Sequence, residues 1–311
     1  MMGAATAGPW ERRVAETIGF IGLGRMGGPL ARSLARKQMP PVVYDAQAEA
    51  MAPVEALGGK RAASPAEVAK RASIVITVLP GPPEVESVLA GAEGVIAHLA
   101  PGGLIMDVST VLPETSDRME AAARARGLAF VDAPVGRLTS AAERGESLFM
   151  VGAHEADFAR VKPLLEAMGT TIHHCGPPGS GTRTKLINNF LSVASCALSA
   201  EALTLARRFG LDIAKTLEVI HGTTATSGAL RLTFPAKVFK GDAEPGFSLA
   251  LAHKDLSLIV ESANRAKVPV PVAAVARESY SLARAMGHEA KDISNILDIW
   301  CALAGADPVR L

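Results

Sequence analysis

The sequence predicts an α/β protein with a Rossmann-type doubly wound sheet, followed by an all-α C-terminal domain. Three observations support this fold class. Short apolar runs alternate with helical stretches in the first half, a glycine-rich turn follows the first run, and only helical patterns remain in the second half. Strand–helix alternation with short connections is typical of a parallel sheet.

The first half contains the predicted sheet. Its strands are 18–21, 41–44, 73–79, 104–108, 128–131, 147–151 and 171–174, and its clearest helices are 29–37, 64–71 and 113–126. The helix at 64–71 opens with Ser-Pro-x-Glu, in which Ser64 can cap the first turn, Pro65 fits its first position and Glu67 supplies a carboxylate.

The second half begins after the Gly-Pro-Pro-Gly-Ser-Gly stretch at 176–181. Its helical patterns cover 182–208, 212–221, 248–266, 271–286 and 289–303. Gly210 and Asp212 separate the first two patterns as a C-cap and an N-cap. We therefore predict a loose N-terminal extension over 1–16, a dinucleotide-binding domain over 17–178 and an all-helical domain over 179–311.

Charge and cysteine content exclude several function classes. A formal net charge of +1 over 311 residues gives no electrostatic reason to expect a nucleic acid or a membrane surface as partner. The three cysteines lack C-x-x-C spacing, and His221 and His253 lack metal-ligand spacing, so we predict no disulfide and no metal site. Residues 1–16 lack the apolar region of a secretory signal, and no apolar run approaches the ~20 residues that span a bilayer. These features predict a cytoplasmic protein.

A G-x-G-x-x-G motif follows the first strand at Gly22, Gly24 and Gly27. The first glycine permits a tight turn, the second lets the backbone approach a pyrophosphate, and the third lets the next helix pack closely. That helix begins at about Met26, next to Arg25, so its unpaired N–H groups face the phosphates. A glycine turn without a ligand is the alternative interpretation.

Asp45 ends the second strand, about 20 residues beyond the glycine motif. An acidic residue there accepts hydrogen bonds from the adenosine ribose hydroxyls and repels a 2′-phosphate, which favours NAD over NADP. A solvated turn aspartate is the alternative.

Three further cofactor candidates, Leu79, Pro80 and Thr110, lie at the carboxyl ends of predicted strands, where doubly wound sheets bind ligands. Pro80 is equally well explained as a strand terminator. The loop after strand 128–131 carries Arg137, whose planar fork of donors could hold an anionic group, although a surface arginine is an open alternative.

Four polar residues share one face of the helix at 182–208: Lys185, Asn188, Asn189 and Ser192. Their neighbours are apolar, so this face needs polar partners, which a binding site would supply. A lysine held among amides can donate a proton to a carbonyl oxygen while a hydride reaches the carbon. A purely structural, interhelical lysine is the alternative. In the helix at 248–266, Lys254 could reach the cofactor and Asp255 could belong to an internal ion pair.

Together these motifs resemble the β-hydroxyacid dehydrogenase family from Ile18 to about Ala302. The matching segments are Gly-Phe-Ile-Gly-Leu-Gly-Arg-Met-Gly, Asp-Ala-Pro-Val, Gly-x-Gly-x-x-x-Lys-x-x-Asn-Asn and Lys-Asp-Leu. The resemblance implies that Lys185 is the catalytic acid/base, that Asn189 positions it or the substrate, and that Lys254 lies near the nicotinamide. It also implies a homodimer or homotetramer formed through the C-terminal helices.

One segment departs from the common family pattern, in which Ser-Gly-Gly follows Asp-Ala-Pro-Val. Here Gly136-Arg137-Leu138-Thr139 follows it, which resembles the sulfolactaldehyde reductase branch. The resemblance implies substrate contacts from Gly136, Arg137, Thr139, Asn188 and Ser192. Carboxylate substrates remain alternatives (3-hydroxyisobutyrate, tartronate semialdehyde and succinate semialdehyde), as does a non-catalytic dinucleotide-binding sensor.

Overall fold

The computed structural model describes residues 16–311, which form two compact units. The first unit contains Ser109 and the described residues before it, Glu114–Val135 and Ala142–Gly181; the second contains Thr110–Pro113, Gly136–Ala141 and Thr182–Leu311. The predicted boundary at 178 thus lies three residues before the start of the continuous helical part, and two loop segments of the first half belong to the second unit. The predicted extension 1–16 lies outside the described residues except for Glu16, which accepts hydrogen bonds from Ser73 and Arg160.

The first unit contains nearly all of the sheet. The strands are β1 (Ile18–Ile21), β2 (Val42–Tyr44), β3 (Lys60–Arg61), β4 (Ile74–Thr77), β5 (Leu104–Asp107), β6 (Ala129–Asp132), β7 (Val135–Gly136), β8 (Ser147–Gly152) and β9 (Gly169–Gly176). The α-helices up to residue 168 are α1 (Gly27–Arg36), α2 (Ala52–Glu55), α3 (Pro65–Arg71), α4 (Pro82–Ala90), α5 (Val95–His98), α6 (Pro113–Ala125), α7 (Thr139–Glu143) and α8 (Glu155–Met168), with a 3₁₀ turn at Ala48–Met51.

The strand order is β3-β2-β1-β4-β5-β6-β8-β7, and β9 pairs with β8. The pairs from β3 to β6 are all parallel. The chain runs from β1 to β2 on one side and later to β4 on the other, so the strand order reverses at β1. In doubly wound sheets a ligand binds at the carboxyl end of such a switch point.

The expectation of an entirely parallel sheet is wrong at one pair. Strand β8 runs antiparallel to β6, with Asp132 opposite Gly152. A parallel pair needs a crossover connection, usually a helix that covers a sheet face. Between β6 and β8 the chain forms only a two-residue strand and the five-residue helix α7, so it makes no such crossover.

The second unit is helical. Its α-helices are α9 (Ser180–Arg208), α10 (Ile213–His221), α11 (Phe234–Ala236), α12 (Leu249–Arg265), α13 (Pro271–Ala285) and α14 (Ile296–Leu303), with a π-turn at Ala229–Thr233 and 3₁₀ turns at Val238–Lys240 and Ile293–Asn295. The core of this unit includes Phe234, Leu256 and Tyr280, whose hydroxyl donates to the carbonyl of Val193. The single helix predicted over 289–303 is wrong in its first turn, because Asp292 pairs with Ser248 in a β-bridge and caps the 3₁₀ turn.

Two local predictions can be compared directly with the structure. The predicted cap of α3 is confirmed: Glu67 N donates to Ser64 Oγ at 3.2 Å, and Ala63 N donates to Glu67 Oε2 at 2.8 Å. By length and composition α9 could cross a membrane, contrary to the expectation that no segment of the chain approaches that length and hydropathy. Half of its most apolar window is buried inside the protein, as in the core helix of a soluble protein.

Candidate active site

The glycine turn after β1 has a geometry that excludes side chains at two positions. Gly22 has φ +92°, and a Cβ there would lie 2.2 Å from the carbonyl oxygen of Val78. A Cβ on Gly27 would lie 1.9 Å from the carbonyl oxygen of Gly22. The first contact keeps the turn tight against the end of β4, and the second lets α1 begin directly on the turn. These are the roles that the motif assigns to its first and third glycines.

The middle glycine meets a different environment. A Cβ on Gly24 would meet no atom within 4 Å, and both Gly24 and Arg25 are exposed. In α1, Met26 occupies the N-cap position without a side-chain cap hydrogen bond, and the first turn carries no acidic residue. Open space beside a helix N-terminus without a side-chain cap fits a dinucleotide pyrophosphate.

Asp45 is half-buried beside the same turn. Its Oδ2 accepts a hydrogen bond from Leu23 N at 2.6 Å, and its Oδ1 accepts one from Gln47 N at 2.8 Å. The carboxylate therefore supports the glycine turn and is more ordered than a solvated turn aspartate.

A buried hydrogen-bond network joins the carboxyl ends of β4 and β5. Asp107 Oδ1 accepts hydrogen bonds from Thr77 Oγ1 at 2.8 Å and from Ser109 Oγ at 2.6 Å. Ser109 Oγ in turn accepts one from Leu79 N at 2.9 Å, which fixes the backbone just before Pro80. Burial raises the pKa of Asp107. The sequence analysis missed Asp107, although a charged residue that ends an apolar strand was a usable signal.

The second unit brings four predicted residues together. Asn189 Nδ2 donates to Asp255 Oδ2 at 2.6 Å, and Asp255 Oδ1 lies 3.0 Å from Lys254 Nζ. Lys254 Nζ also donates to the carbonyl oxygen of Thr110 at 3.1 Å. Asn189 and Asp255 are 6% and 2% exposed, so these contacts satisfy polar groups that water does not reach. The ion pair predicted for Asp255 is confirmed, with Lys254 as its partner.

Lys185 lies close enough to this cluster for its charges to act on it. Burial lowers the pKa of Lys185, the Asp255 carboxylate opposes this shift, and the Lys254 ammonium adds to it. As a residue Lys185 is only half-buried, but its ammonium group is surrounded by protein atoms, which explains the direction. A lysine with a lowered pKa is suited to proton transfer near neutral pH.

The expectation that the four polar residues of α9 form one sheltered face is wrong. Asn189 is buried and Lys185 half-buried, whereas Asn188 and Ser192 are exposed, as are the adjacent Ile187 and Leu191, at 63% and 68%. At 3.6 residues per turn, positions i+3 and i+4 lie on opposite edges of the stripe, about 100° apart. One edge meets Asp255, and the other points outward.

Arg137 lies in the loop segment Gly136–Ala141 of the second unit. Its φ is +69°, a left-handed value that is rare for residues other than glycine. The Arg137 side chain is exposed, Gly136 is buried, and Leu138 and Thr139 are half-buried. Backbone strain of this kind is concentrated at functional sites.

The candidate site has no ligand set for a metal ion. Over residues 16–311, no group of three or more His, Cys, Asp or Glu side chains could hold one.

Comparison with known proteins follows the same division of the chain. Residues 17–176 match the family described as the NAD binding domain of 6-phosphogluconate dehydrogenase, and residues 179–300 match the NAD-binding family of NADP-dependent 3-hydroxyisobutyrate dehydrogenase. The 3-sulfolactaldehyde reductase of Escherichia coli (strain K12) is 41% identical over 281 residues, which cover 90% of this chain and 94% of that protein. The chain belongs to the β-hydroxyacid dehydrogenase family.

Two solved structures support the family assignment. The 3-hydroxyisobutyrate dehydrogenase of Mycobacterium tuberculosis, solved with L-serine, has a TM-score of 0.83 and 30% identity over 91% of this chain and 98% of that one. A structure described as Psf3 in complex with NADP+ and 2-OPP has a TM-score of 0.80 and 25% identity over 91% and 99%. As a β-hydroxyacid dehydrogenase, the chain is an NAD(P)-binding oxidoreductase that acts on CH–OH groups of small hydroxy acids.

Proposed function

We propose that this β-hydroxyacid dehydrogenase interconverts a small anionic aldehyde and its hydroxy acid with NAD, and that its substrate is 3-sulfolactaldehyde or a close analogue. The observation that carries the proposal is Lys185, a lysine with a lowered pKa beside the cluster of Asn189, Lys254 and Asp255. The identity to a 3-sulfolactaldehyde reductase and the Gly-Arg sequence at 136–137 support the choice of substrate.

The reaction needs a proton and a hydride. A bound nicotinamide supplies the hydride in the reduction and accepts it in the oxidation. Lys185 donates its ammonium proton to the aldehyde oxygen as the carbon is reduced, and in reverse the neutral amine takes the hydroxyl proton. Asn189, held by Asp255, orients the reacting groups, and Lys254 lies beside the nicotinamide.

Substrate recognition is assigned to two segments of the second unit. Arg137 offers a planar fork of N–H donors to the anionic end, and Gly136, Thr139, Asn188 and Ser192 surround that group. A sulfonate presents three acceptor oxygens and is bulkier than a carboxylate, so a forked donor suits it. Fixing the anionic end holds the aldehyde carbon in position for hydride transfer.

The proposal is tested by steady-state kinetics with NADH and four aldehydes: 3-sulfolactaldehyde, succinate semialdehyde, tartronate semialdehyde and methylmalonate semialdehyde. We expect the highest kcat/KM with 3-sulfolactaldehyde. A higher value for a carboxylate aldehyde would reassign the substrate. Binding of NADH without turnover of any of the four would favour the non-catalytic sensor.

We propose NAD as the physiological cofactor, bound by Gly22, Gly24, Arg25, Met26, Gly27, Asp45, Leu79, Pro80, Thr110 and Lys254. Asp45→Asn retains a side-chain acceptor for Leu23 N and removes the charge that would repel a 2′-phosphate. We expect the NADP/NAD ratio of kcat/KM to rise about tenfold or more. The matched control is Glu49→Gln, which neutralises an exposed acid in the turn that follows and leaves the ratio unchanged. An unchanged ratio in Asp45→Asn would remove Asp45 from the ribose site.

We propose a homodimer or homotetramer built through the helical unit and located in the cytoplasm. Five exposed apolar residues recur at intervals of four and seven along α9 and just after it: Ile187, Leu191, Leu198, Leu205 and Phe209. Such a stripe on a surface helix fits another helix, and a second copy of the chain offers an identical one about a two-fold axis.

The oligomer is tested with the double variant Leu198→Glu/Leu205→Glu. We expect light scattering after gel filtration to show a monomer, because buried unpaired carboxylates would oppose the interface. Leu57→Glu alters an exposed leucine of the first unit and leaves the mass unchanged. A wild-type chain that elutes as a monomer would refute the proposal.

A further inference from the structure

One buried carboxylate holds the segment that leads into α12. Asp292 is 1% exposed, and its Oδ2 accepts hydrogen bonds from Gly246 N at 2.9 Å and from Phe247 N at 3.3 Å. Its Oδ1 accepts one from Ser294 N at 3.0 Å and one from Ser294 Oγ at 2.7 Å. Four donors satisfy both oxygens, so Asp292 ties residues 246–247 to residues 292–294.

Backbone contacts fix the register of the same segment. Asp292 N donates to Ala243 O at 3.0 Å, Ile293 N donates to Phe247 O at 2.7 Å, and Ser248 forms a β-bridge with Asp292. Ser248 caps α12, on which Lys254 and Asp255 lie about two turns later. The position of Gly246 is therefore set by its neighbours and does not vary freely.

Gly246 faces the loop segment that carries Arg137. A Cβ at this position would lie 3.7 Å from Leu138 Cδ2, 3.9 Å from Thr139 Oγ1 and 3.6 Å from Asp292 Oδ2. The φ of Gly246 is outside the left-handed region, so the backbone does not require glycine here. Alanine would make ordinary van der Waals contacts, whereas a branched side chain would extend into Leu138 and Thr139.

We propose that Gly246 is a specificity-determining position for the anionic end of the substrate and that Asp292 is the positioning residue that sets it. This inference rests on the proposed function, because that function places the anionic group at Arg137 and Thr139. The missing side chain leaves the 136–141 segment room to accommodate a tetrahedral group with three oxygens. A larger side chain at 246 displaces the segment and penalises a sulfonate more than a planar carboxylate.

The test compares Gly246→Ala and Gly246→Val with 3-sulfolactaldehyde and succinate semialdehyde as substrates and NADH as cofactor. We expect Gly246→Ala to keep both KM values within about twofold. Gly246→Val lowers the sulfonate/carboxylate ratio of kcat/KM about tenfold or more, through KM, and leaves the KM of NADH unchanged. The matched control is Gly228→Val, because a Cβ on Gly228 meets no atom within 4 Å.

The role of Asp292 is tested with Asp292→Asn, in which an NH₂ group must face either Gly246 N or Ser294. We expect a KM several-fold higher for both aldehydes, an unchanged KM for NADH and faster hydrogen exchange in residues 136–141. Ser294→Ala removes one donor to Asp292 Oδ1 and keeps both contacts to Oδ2. It lowers stability without altering these KM values.

The outcomes separate this inference from the proposed function. If the wild-type protein reduces both aldehydes but Gly246→Val changes neither their ratio nor either KM, the inference is overturned and the proposed function stands. If the wild-type protein reduces neither aldehyde, the proposed function fails. Hydrogen exchange in 136–141 then decides alone: faster exchange in Gly246→Val and Asp292→Asn supports their positioning role, and unchanged exchange refutes it.

Discussion

Replacing Lys185 with alanine is expected to lower kcat for aldehyde reduction about 10²–10⁴-fold, the usual contribution of a positioned general acid. NADH affinity, measured by fluorescence titration, remains close to the wild-type value because the cofactor contacts are assigned to other residues. Lys215→Ala serves as the matched control, because Lys215 is an exposed lysine paired with Glu218. Full turnover in Lys185→Ala would remove Lys185 from the chemistry.

The same lysine predicts opposite pH profiles for the two directions of the reaction. Reduction needs the protonated ammonium, so its kcat/KM falls as the pH rises through the pKa of Lys185; oxidation needs the neutral amine and rises over the same range. Burial lowers this pKa below that of an ordinary lysine, which moves both transitions to lower pH.

Asp255 opposes the effect of burial, so its removal shifts the profiles further. In Asp255→Asn the pKa of Lys185 falls further, and the transitions of both directions move to still lower pH. Asparagine keeps an acceptor for Asn189 Nδ2, which separates the effect of charge from the loss of a hydrogen bond. Profiles that superimpose on the wild-type profiles would show that Asp255 has no electrostatic role.

Replacing Arg137 with glycine is expected to lower kcat/KM for the anionic aldehyde about 10²–10³-fold, through KM, because truncation of one partner of an ion pair costs several kcal/mol. Glycine adopts the left-handed backbone freely, which relieves about 1 kcal/mol, but its larger unfolded-state entropy offsets this gain. We therefore expect Tm within ~2 °C of wild type.

Two further variants make the Arg137 result specific. Arg137→Lys retains the charge but loses the planar fork, so it recovers only part of the lost kcat/KM. Lys267→Gly relieves the same kind of backbone strain at φ +56°, outside the residues assigned to the site, and leaves the kinetics unchanged. Unchanged KM values for the anionic aldehyde in Arg137→Gly would show that Arg137 does not bind the substrate.

Most of the sheet and the long helices could be predicted because their signals are local. The apolar runs at β1, β4 and β5 and the Ser-Pro-x-Glu cap of α3 depend only on neighbouring residues. Helices α4 and α8 were missed: α4 begins with Pro82-Pro83, and α8 contains Pro163, a residue that weakens a helical pattern in sequence although tertiary packing tolerates it here.

By itself, the sequence determined the cofactor turn, the order of the elements and the identity of the lysine, because spacing along one strand or helix fixes which side chains share a face. Only the tertiary structure decided that Asn189 meets Asp255 while Asn188 points outward, that β8 is antiparallel to β6, and that Asp292 places Gly246 against Thr139. Most of these contacts join residues tens of positions apart in the chain. Burial, charge and space at such contacts depend on packing between elements, which periodicity within a single element does not specify.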